Sequence, residues 1–437
     1  MKGLVGQVGL VGALALAATL VGCPDDEGGG DADAADALPG GRSFVLAARA
    51  EGYDPSAREP WVATLDALTL TGDATTERPV EALVVPLDLV GIPWDAFIGP
   101  DNAPTSLPAP WLAAVDAQVA LAQAAGLPIV LALSPISPDF DTLAPLAKDG
   151  AGALVLDDAW EIYCYDPSKD SNPARYRDRF AGFAVWAVGR FQPTTVVLGQ
   201  RVNRYEATCG RSAYDAILAY VEEAARRVRA LASAPAVAVS VDVEDLYGYP
   251  DKPGRCQTGT PQDCLASRQA LVVGAAAAIG DDGVLGLESY PARALADLDE
   301  LPADWLKRVA DLVPAGQPSA VLGAGLPVIR LETPSGVCTP LLEASEGDQR
   351  AFLDQVLAVA DLKEMTHVVW RGLLDLAPAA VVGSCPCAGD ATLCQHLSGL
   401  GASRDERRLE LVRGLWTHDG TPRQAVTLWR AVLEGDR

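Results

Sequence analysis

Short apolar runs rich in branched side chains alternate along this chain with longer stretches whose apolar residues recur at helical spacing. The strand-like runs fall at 43–48, 82–87, 128–133, 195–199, 236–241, 284–287, 328–331 and 366–370. Between them the pattern predicts helices over 111–125, 176–191, 271–279, 305–312 and 349–362. Another helix is expected to open at a capping box, Ser212 with Asp215, and to place Ile217, Val221, Ala224, Val228 and Leu231 on one face. Near the C-terminus, Ser403 with Glu406 reads as a further capping box, and Thr421 with Pro422 as an N-cap followed by proline at the first helical position. Eight strands separated by helices predict an α/β protein, a single (β/α)8 barrel with long loops. No repeat beyond the βα alternation is evident.

The first residues break this pattern. Lys2 precedes an uncharged, mostly apolar stretch that ends in Leu20-Val21-Gly22-Cys23. The stretch resembles the signal peptide and lipobox of bacterial lipoproteins, which implies lipidation of Cys23, removal of residues 1–22, and a cell-envelope location on a membrane surface. Residues 23–41 carry acidic groups with glycine and alanine and predict an extended tether. The barrel is expected to fill 42–437. No second stretch is apolar and long enough to span a bilayer.

The formal net charge is −24 over 437 residues. It argues against nucleic acid as a partner and leaves neutral sugars or cationic ligands compatible. Besides Cys23 the chain has Cys164, Cys209, Cys256, Cys264, Cys338, Cys385, Cys387 and Cys394, an even set that predicts disulfides in an exported protein. Expected pairs are Cys164 with Cys209, Cys256 with Cys264, and Cys338 with one of the last three. Cys385, Cys387, Cys394 and His396 are poorly spaced for zinc, and no metal or other cofactor is expected. HExxH, Walker-type and GxSxG motifs are absent.

In a barrel of this kind the chemistry collects at the C-terminal ends of the strands. There the sequence places Gln200, Arg201, Asn203 and Glu206 after the fourth strand, and Asp242 and Glu244 after the fifth. Glu288, Ser289 and Tyr290 end the sixth, Glu332 the seventh, and Trp370 and Arg371 the eighth, with Asp375 beyond. Carboxylates with aromatics suit a carbohydrate: rings stack on sugar faces, and a carboxylate pair about 5 Å apart supports retaining hydrolysis.

Four segments carry a family likeness. They are Pro327 to Gly336 around Glu332, Glu288-Ser289-Tyr290-Pro291, Val368-Val369-Trp370, and Gly414-Leu415-Trp416 with Asp419 to Ala425. In order and spacing they resemble glycoside hydrolases of the large (β/α)8 clan with catalytic glutamates on strands four and seven. The resemblance implies Glu332 as nucleophile, Tyr290 as its positioning hydrogen-bond donor and Trp370 as the floor of the sugar site. It also implies an Asn-Glu pair at the end of strand four, where this chain has Gln200-Arg201. A guanidinium cannot shuttle a proton at ordinary pH, and loss of general acid–base assistance typically costs about 10²–10⁴-fold in rate.

Two readings follow from the sequence. In one, a glycosidase recruits Glu206, Glu244 or Asp242 as its acid. In the other, the cleft binds a glycan or serves as a structural or partner-binding surface. Alternatives also stand for single residues. Tyr290 and Trp370 fit rim packing as well as sugar contact, and Arg201 fits an ion pair with Glu332 or Asp242. Glu206 fits a solvated loop acid. Asp157 and Asp158 fit a helix cap. Trp160, Tyr163 and Tyr165 fit either a glycan subsite or the small core of the loop that Cys164 pins.

Overall fold

The computed structural model describes residues 42–49, 80–87, 90–97, 104–157, 162–165, 172, 174–249, 261–293, 303–333, 339–373, 375, 394–396, 414–417 and 420–434, with backbone only at 153, 261–262, 293, 329–333, 339–343 and 394–396. In chain order the strands are β1 (Val45–Arg49), β2 (Ala82–Pro86), β3 (Ile129–Ala132), β4 (Leu146–Gly150), β5 (Ala153–Asp157), β6 (Thr195–Val197), β7 (Ala236–Asp242), β8 (Val284–Ser289), β9 (Ser319–Ala324), β10 (Ile329–Thr333), β11 (Thr339–Ala344), β12 (His367–Arg371) and β13 (Cys394–His396). The helices are α1 (Ala109–Ala124), α2 (Ala174–Phe191), α3 (Asn203–Cys209), α4 (Arg211–Arg229), α5 (Val243–Leu246), α6 (Pro261–Ile279), α7 (Trp305–Ala310), α8 (Glu346–Leu362) and α9 (Gln424–Glu434).

Eight strands close into a parallel barrel in the order β1-β2-β3-β6-β7-β8-β9-β12, and β12 pairs back onto β1. This is a (β/α)8 barrel. Its interior is filled from alternate strand positions: Ala47, Ala82 and Val84, Val130 and Ala132, Val197, Ala238, Val284, Ala320 and Leu322, and Val369 form one buried cluster. Alternation along a strand puts every second side chain inside. The small residues leave room where large ones cross; a Cβ on Gly286 would lie 2.4 Å from Leu322 Cδ1.

The seventh barrel strand is β9, not the run at 328–331. Ser319–Ala324 is rich in Ala and Gly and reads weakly as a strand, whereas the Val-Ile run after it reads strongly. β10, which contains Glu332, belongs to a separate three-stranded sheet, antiparallel to β11 and parallel to β13, with Glu332 opposite Pro340 and His396.

Other local expectations also shift. α4 starts after Gly210 with no side-chain cap, and Asp215 instead accepts from Arg211 Nε at 2.8 Å. The capping box that does form is Ser345 with Asp348, at the start of α8. α9 begins at Gln424; Pro422 bridges to Trp416, and the Thr421 N–H donates to Thr417 Oγ1 to close a turn. The excursion after β3 contains the hairpin β4–β5. The capping box at 403–406 and residues 1–41 lie outside the described residues. Among the described residues no helix is long and apolar enough to cross a membrane.

Cys164 and Cys209 form the expected disulfide, with Cα atoms 4.9 Å apart. Cys264 is also disulfide-bonded, while Cys256, Cys338, Cys385 and Cys387 lie outside the described residues.

Candidate functional site

The parity that fills the barrel with small apolar groups also determines what caps it. Ala47 points inward, so Arg49 does too; Ala238 implies Ser240 and Asp242, Val284 implies Glu288, and Val369 implies Arg371. The last inward positions of four strands are therefore polar, and they close the C-terminal mouth over an apolar interior. Arg49, Ser240, Asp242 and Glu288 are all buried.

Arg201 sits among them. Its φ of 49° is left-handed, a conformation that costs a non-glycine residue of order 1–3 kcal/mol. The strain is held by a hydrogen bond from its N–H to Ser240 Oγ at 2.9 Å. The guanidinium stacks over the rings of Phe140, at 4.4 Å, and Tyr290, at 5.4 Å. Phe140 is itself left-handed, with φ 60°, and Arg204 covers the same ring at 4.5 Å. The loop carrying Phe140 is tied down by the disulfide: the Cys164 N–H donates to the Asp141 carbonyl at 2.7 Å, and Cys164 is bonded to Cys209 on α3.

Among the described residues the carboxylates nearest to Arg201 are Glu288, 3.7 Å from Nε, and Asp242, 3.9 Å from Nη1. Both distances exceed a direct hydrogen bond. Glu288 accepts from Ser240 Oγ and from the Tyr290 hydroxyl, the latter at 3.1 Å. Asp242 Oδ1 caps α5 by accepting from the Asp245 N–H at 2.9 Å. Burial and the Glu288 charge push the Tyr290 phenol up to about 12, against the opposing pull of Arg371, Arg201 and Arg49.

Glu244 is buried one turn beyond. It accepts from Ser289 Oγ and, at 3.0 Å, from the Tyr290 N–H. Burial first, and Asp242 second, raise its carboxyl to about 8, so it is mainly protonated at neutral pH. It stitches the ends of β7 and β8 together.

Every residue expected at the site except Glu332 has a described side chain. Gln200, Arg201 and Asp242 meet at the mouth. Asn203 is a strut: Nδ2 donates to the Asp242 carbonyl and to Asp245 Oδ2, both at 2.9 Å, and Oδ1 accepts from the Asp242 N–H at 2.6 Å. That uses both amide protons, leaving no donor for a sugar. Glu206 is half-buried on α3, and its charge is felt by Tyr214 of α4, whose hydroxyl bonds Leu271 in the helical layer.

Trp370 is fully buried, with its ring 6.0 Å from Phe352 of α8. Val369 holds the inward position, so Trp370 packs on the helices and has no face free for a sugar; the expected sugar floor is corrected to core packing. Tyr290 does end the sixth strand, and its hydroxyl donates to Glu288 Oε2 at 3.1 Å. The side chain of Glu332 lies outside the described residues, and its backbone is on β10, beyond the barrel ring. Tyr165 is core, against Tyr176 and Tyr220, while Tyr163 is exposed.

Glu288 and Arg371, named in the sequence at the ends of their strands, join the cluster, and Arg49, Phe140, Ser240 and Gly323, which the sequence did not point to, complete it. Period-two counting from the apolar interior positions would have found those on strands. Gly323 of β9 stands opposite Glu288. A Cβ there would come within 2.1 Å of the Tyr290 hydroxyl and 2.9 Å of Glu288 Oε2. β9 therefore brings no carboxylate at this position, and its space is filled from β8. Among the described residues no group of His, Cys, Asp or Glu is arranged to hold a metal.

No protein-family model and no curated protein matches the sequence. Solved structures do match in fold. A GH5_18 protein from Streptomyces cattleya, in complex with Manb1-4GlcNAc, is 15% identical; the match covers 91% of this chain and 80% of that one, with a TM-score of 0.50. An exo-beta-1,4-mannosidase from Opitutaceae bacterium strain TAV5 is 13% identical over 90% of this chain and 60% of that one, TM-score 0.49. The GH53 catalytic domain of Ignisphaera aggregans is 12% identical over 90% and 98%, TM-score 0.49. At these identities the likeness is one of fold: a closed eight-stranded parallel barrel whose structural neighbours are glycoside hydrolases.

Proposed function

We propose that this chain is an exported, membrane-anchored glycan-binding protein whose barrel mouth holds a carbohydrate without hydrolysing it. One observation carries the reading: Arg201 occupies the end of the fourth strand, where the resemblance calls for a proton shuttle. It is locked there by Ser240, Phe140 and Tyr290. The buried acids around it are already engaged, Glu288 by two hydroxyls and Asp242 by its cap on α5. A retaining mechanism needs one carboxyl free to give and take a proton at the glycosidic oxygen, and a guanidinium does not do this. The anchor in this reading is an acyl-modified Cys23, which holds the barrel at a membrane surface through the acidic segment 23–41.

The test measures binding and turnover on the same sample. A glycan array should show retained ligands, and aryl-glycosides of the common hexoses and pentoses should show no release above background. Turnover that disappears in Glu332→Gln would replace this reading with a working glycosidase that uses Glu332. Its strand β10 follows the C-terminal end of β9, which is the observation that keeps Glu332 the variant of choice.

A further inference from the structure

Resting on that reading, we infer that the glycan carries an acidic substituent, a carboxylate or a sulfate ester, seated against Gln200 and Arg201. These adjacent residues are 5% and 6% exposed. Gln200 Oε1 accepts from Arg49 Nη1, but Gln200 Nε2, Arg201 Nε and Arg201 Nη1 are buried without a hydrogen-bond acceptor. Buried donors in folded proteins are almost always satisfied by protein, water or ligand.

All three unmet atoms are donors. A neutral sugar hydroxyl brings a proton of its own, which would need an acceptor in turn. A carboxylate or sulfate brings acceptors only, and bonds in which both partners are charged are the stronger kind.

The charge at the mouth agrees. Three guanidiniums converge on Tyr290: Arg201 at 5.4 Å and Arg371 at 5.2 Å from its ring, with Arg49 close enough to act on its hydroxyl. The carboxylates facing them are Glu288 and Asp242. Glu244 is mainly neutral at pH 7, and Asp245 is paired with Arg268 at 3.2 Å. These guanidiniums gather at one mouth of a chain whose formal net charge is −24. A local cationic site on an acidic protein selects by position, where whole-molecule charge would repel. Two left-handed residues in contact, Phe140 and Arg201, hold the donors in place, and strain of this kind collects at ligand sites.

The experiment screens the full chain on an array of uronate, sulfated and neutral oligosaccharides. The best ligand is then titrated calorimetrically beside its carboxyl-reduced or desulfated form, so the two arms separate a carboxylate from a sulfate. The acidic form should bind on the order of 10- to 100-fold more tightly than its neutral counterpart. Arg201→Met should remove most of that preference. Arg371→Gln, at the half-buried rim, should reduce it and serves as the probe should Arg201→Met lose its native circular dichroism. Equal affinity for acidic and neutral forms, or an array bound by neutral sugars alone, overturns this inference and leaves the glycan-binding reading standing. An array that binds nothing overturns both.

Discussion

At the scale of single residues, the barrel mouth is a place where burial and hydrogen bonding pull in opposite directions. Glu244 shows the balance most clearly. Its carboxyl ordinarily titrates near 4.5 and is raised to about 8 in the fold, by burial and then by Asp242. The folded state therefore binds its proton more tightly than the unfolded chain does. This contribution to stability is complete below about pH 4.5, falls as pH rises, and is lost by about pH 8. Glu244→Gln, which keeps the shape and cannot ionise, should flatten that slope and raise the melting temperature at pH 8 by a few °C. Thermal melts across pH 5–9 check it; a variant with the same slope as the parent would assign the pH dependence to other groups. Gly323 makes a second point. Gly323→Ala puts a methyl where the Tyr290 hydroxyl and Glu288 Oε2 lie. Overpacking should destabilise by about 1–3 kcal/mol in urea titrations and loosen Tyr290 from Glu288.

At the scale of elements, the loop carrying Phe140 depends on a covalent clamp. Cys164 and Cys209 are 45 residues apart in sequence, and closing a loop of that size restricts the unfolded chain by about 4 kcal/mol in the entropic account. The double substitution Cys164→Ser with Cys209→Ser should cost about 2–4 kcal/mol in denaturant melts. It should weaken glycan affinity as well, because Phe140 and its hold on Arg201 belong to the clamped loop. Loss of stability with unchanged affinity would separate the clamp from the site.

Elements are also where the sequence was read best and worst. Seven of the barrel strands stand out as apolar runs. The seventh in order does not, because β9 is built of Ser, Ala, Val, Leu and Gly, and its Gly323 leaves the space that Tyr290 fills. The adjacent run 328–331 has the stronger strand composition but joins another sheet. Tertiary packing, not local preference, chose between them. The pairing of Cys164 with Cys209 was legible because the two cysteines follow adjacent barrel strands. At the site, Arg201 was legible as a departure from an expected motif. For Trp370 the sequence leaves packing and sugar contact side by side, because a resemblance gives a residue's rank along a strand and not the side it faces; Val369 in the interior cluster and the Phe352 contact favour packing.

At the scale of the whole molecule, three parts are proposed to act together: an acylated N-terminus, an acidic tether and a barrel that presents its mouth to a polymer. The anchor has a direct check. The wild-type chain should partition into the detergent-rich phase of Triton X-114, and Cys23→Ser should leave it in the aqueous phase; partitioning that survives the substitution would remove lipidation of Cys23 from the account. The ring is complete, and the end of its fourth strand, where the sequence resemblance calls for a proton shuttle, holds the fixed cation of Arg201. The most direct test of that claim is a crystal structure of the chain with the oligosaccharide it binds best. The account predicts an uncut sugar chain across the mouth, with acceptor oxygens about 3 Å from Gln200 Nε2 and Arg201 Nε. A cleaved sugar there, or an intact one seated away from Arg201, would contradict it.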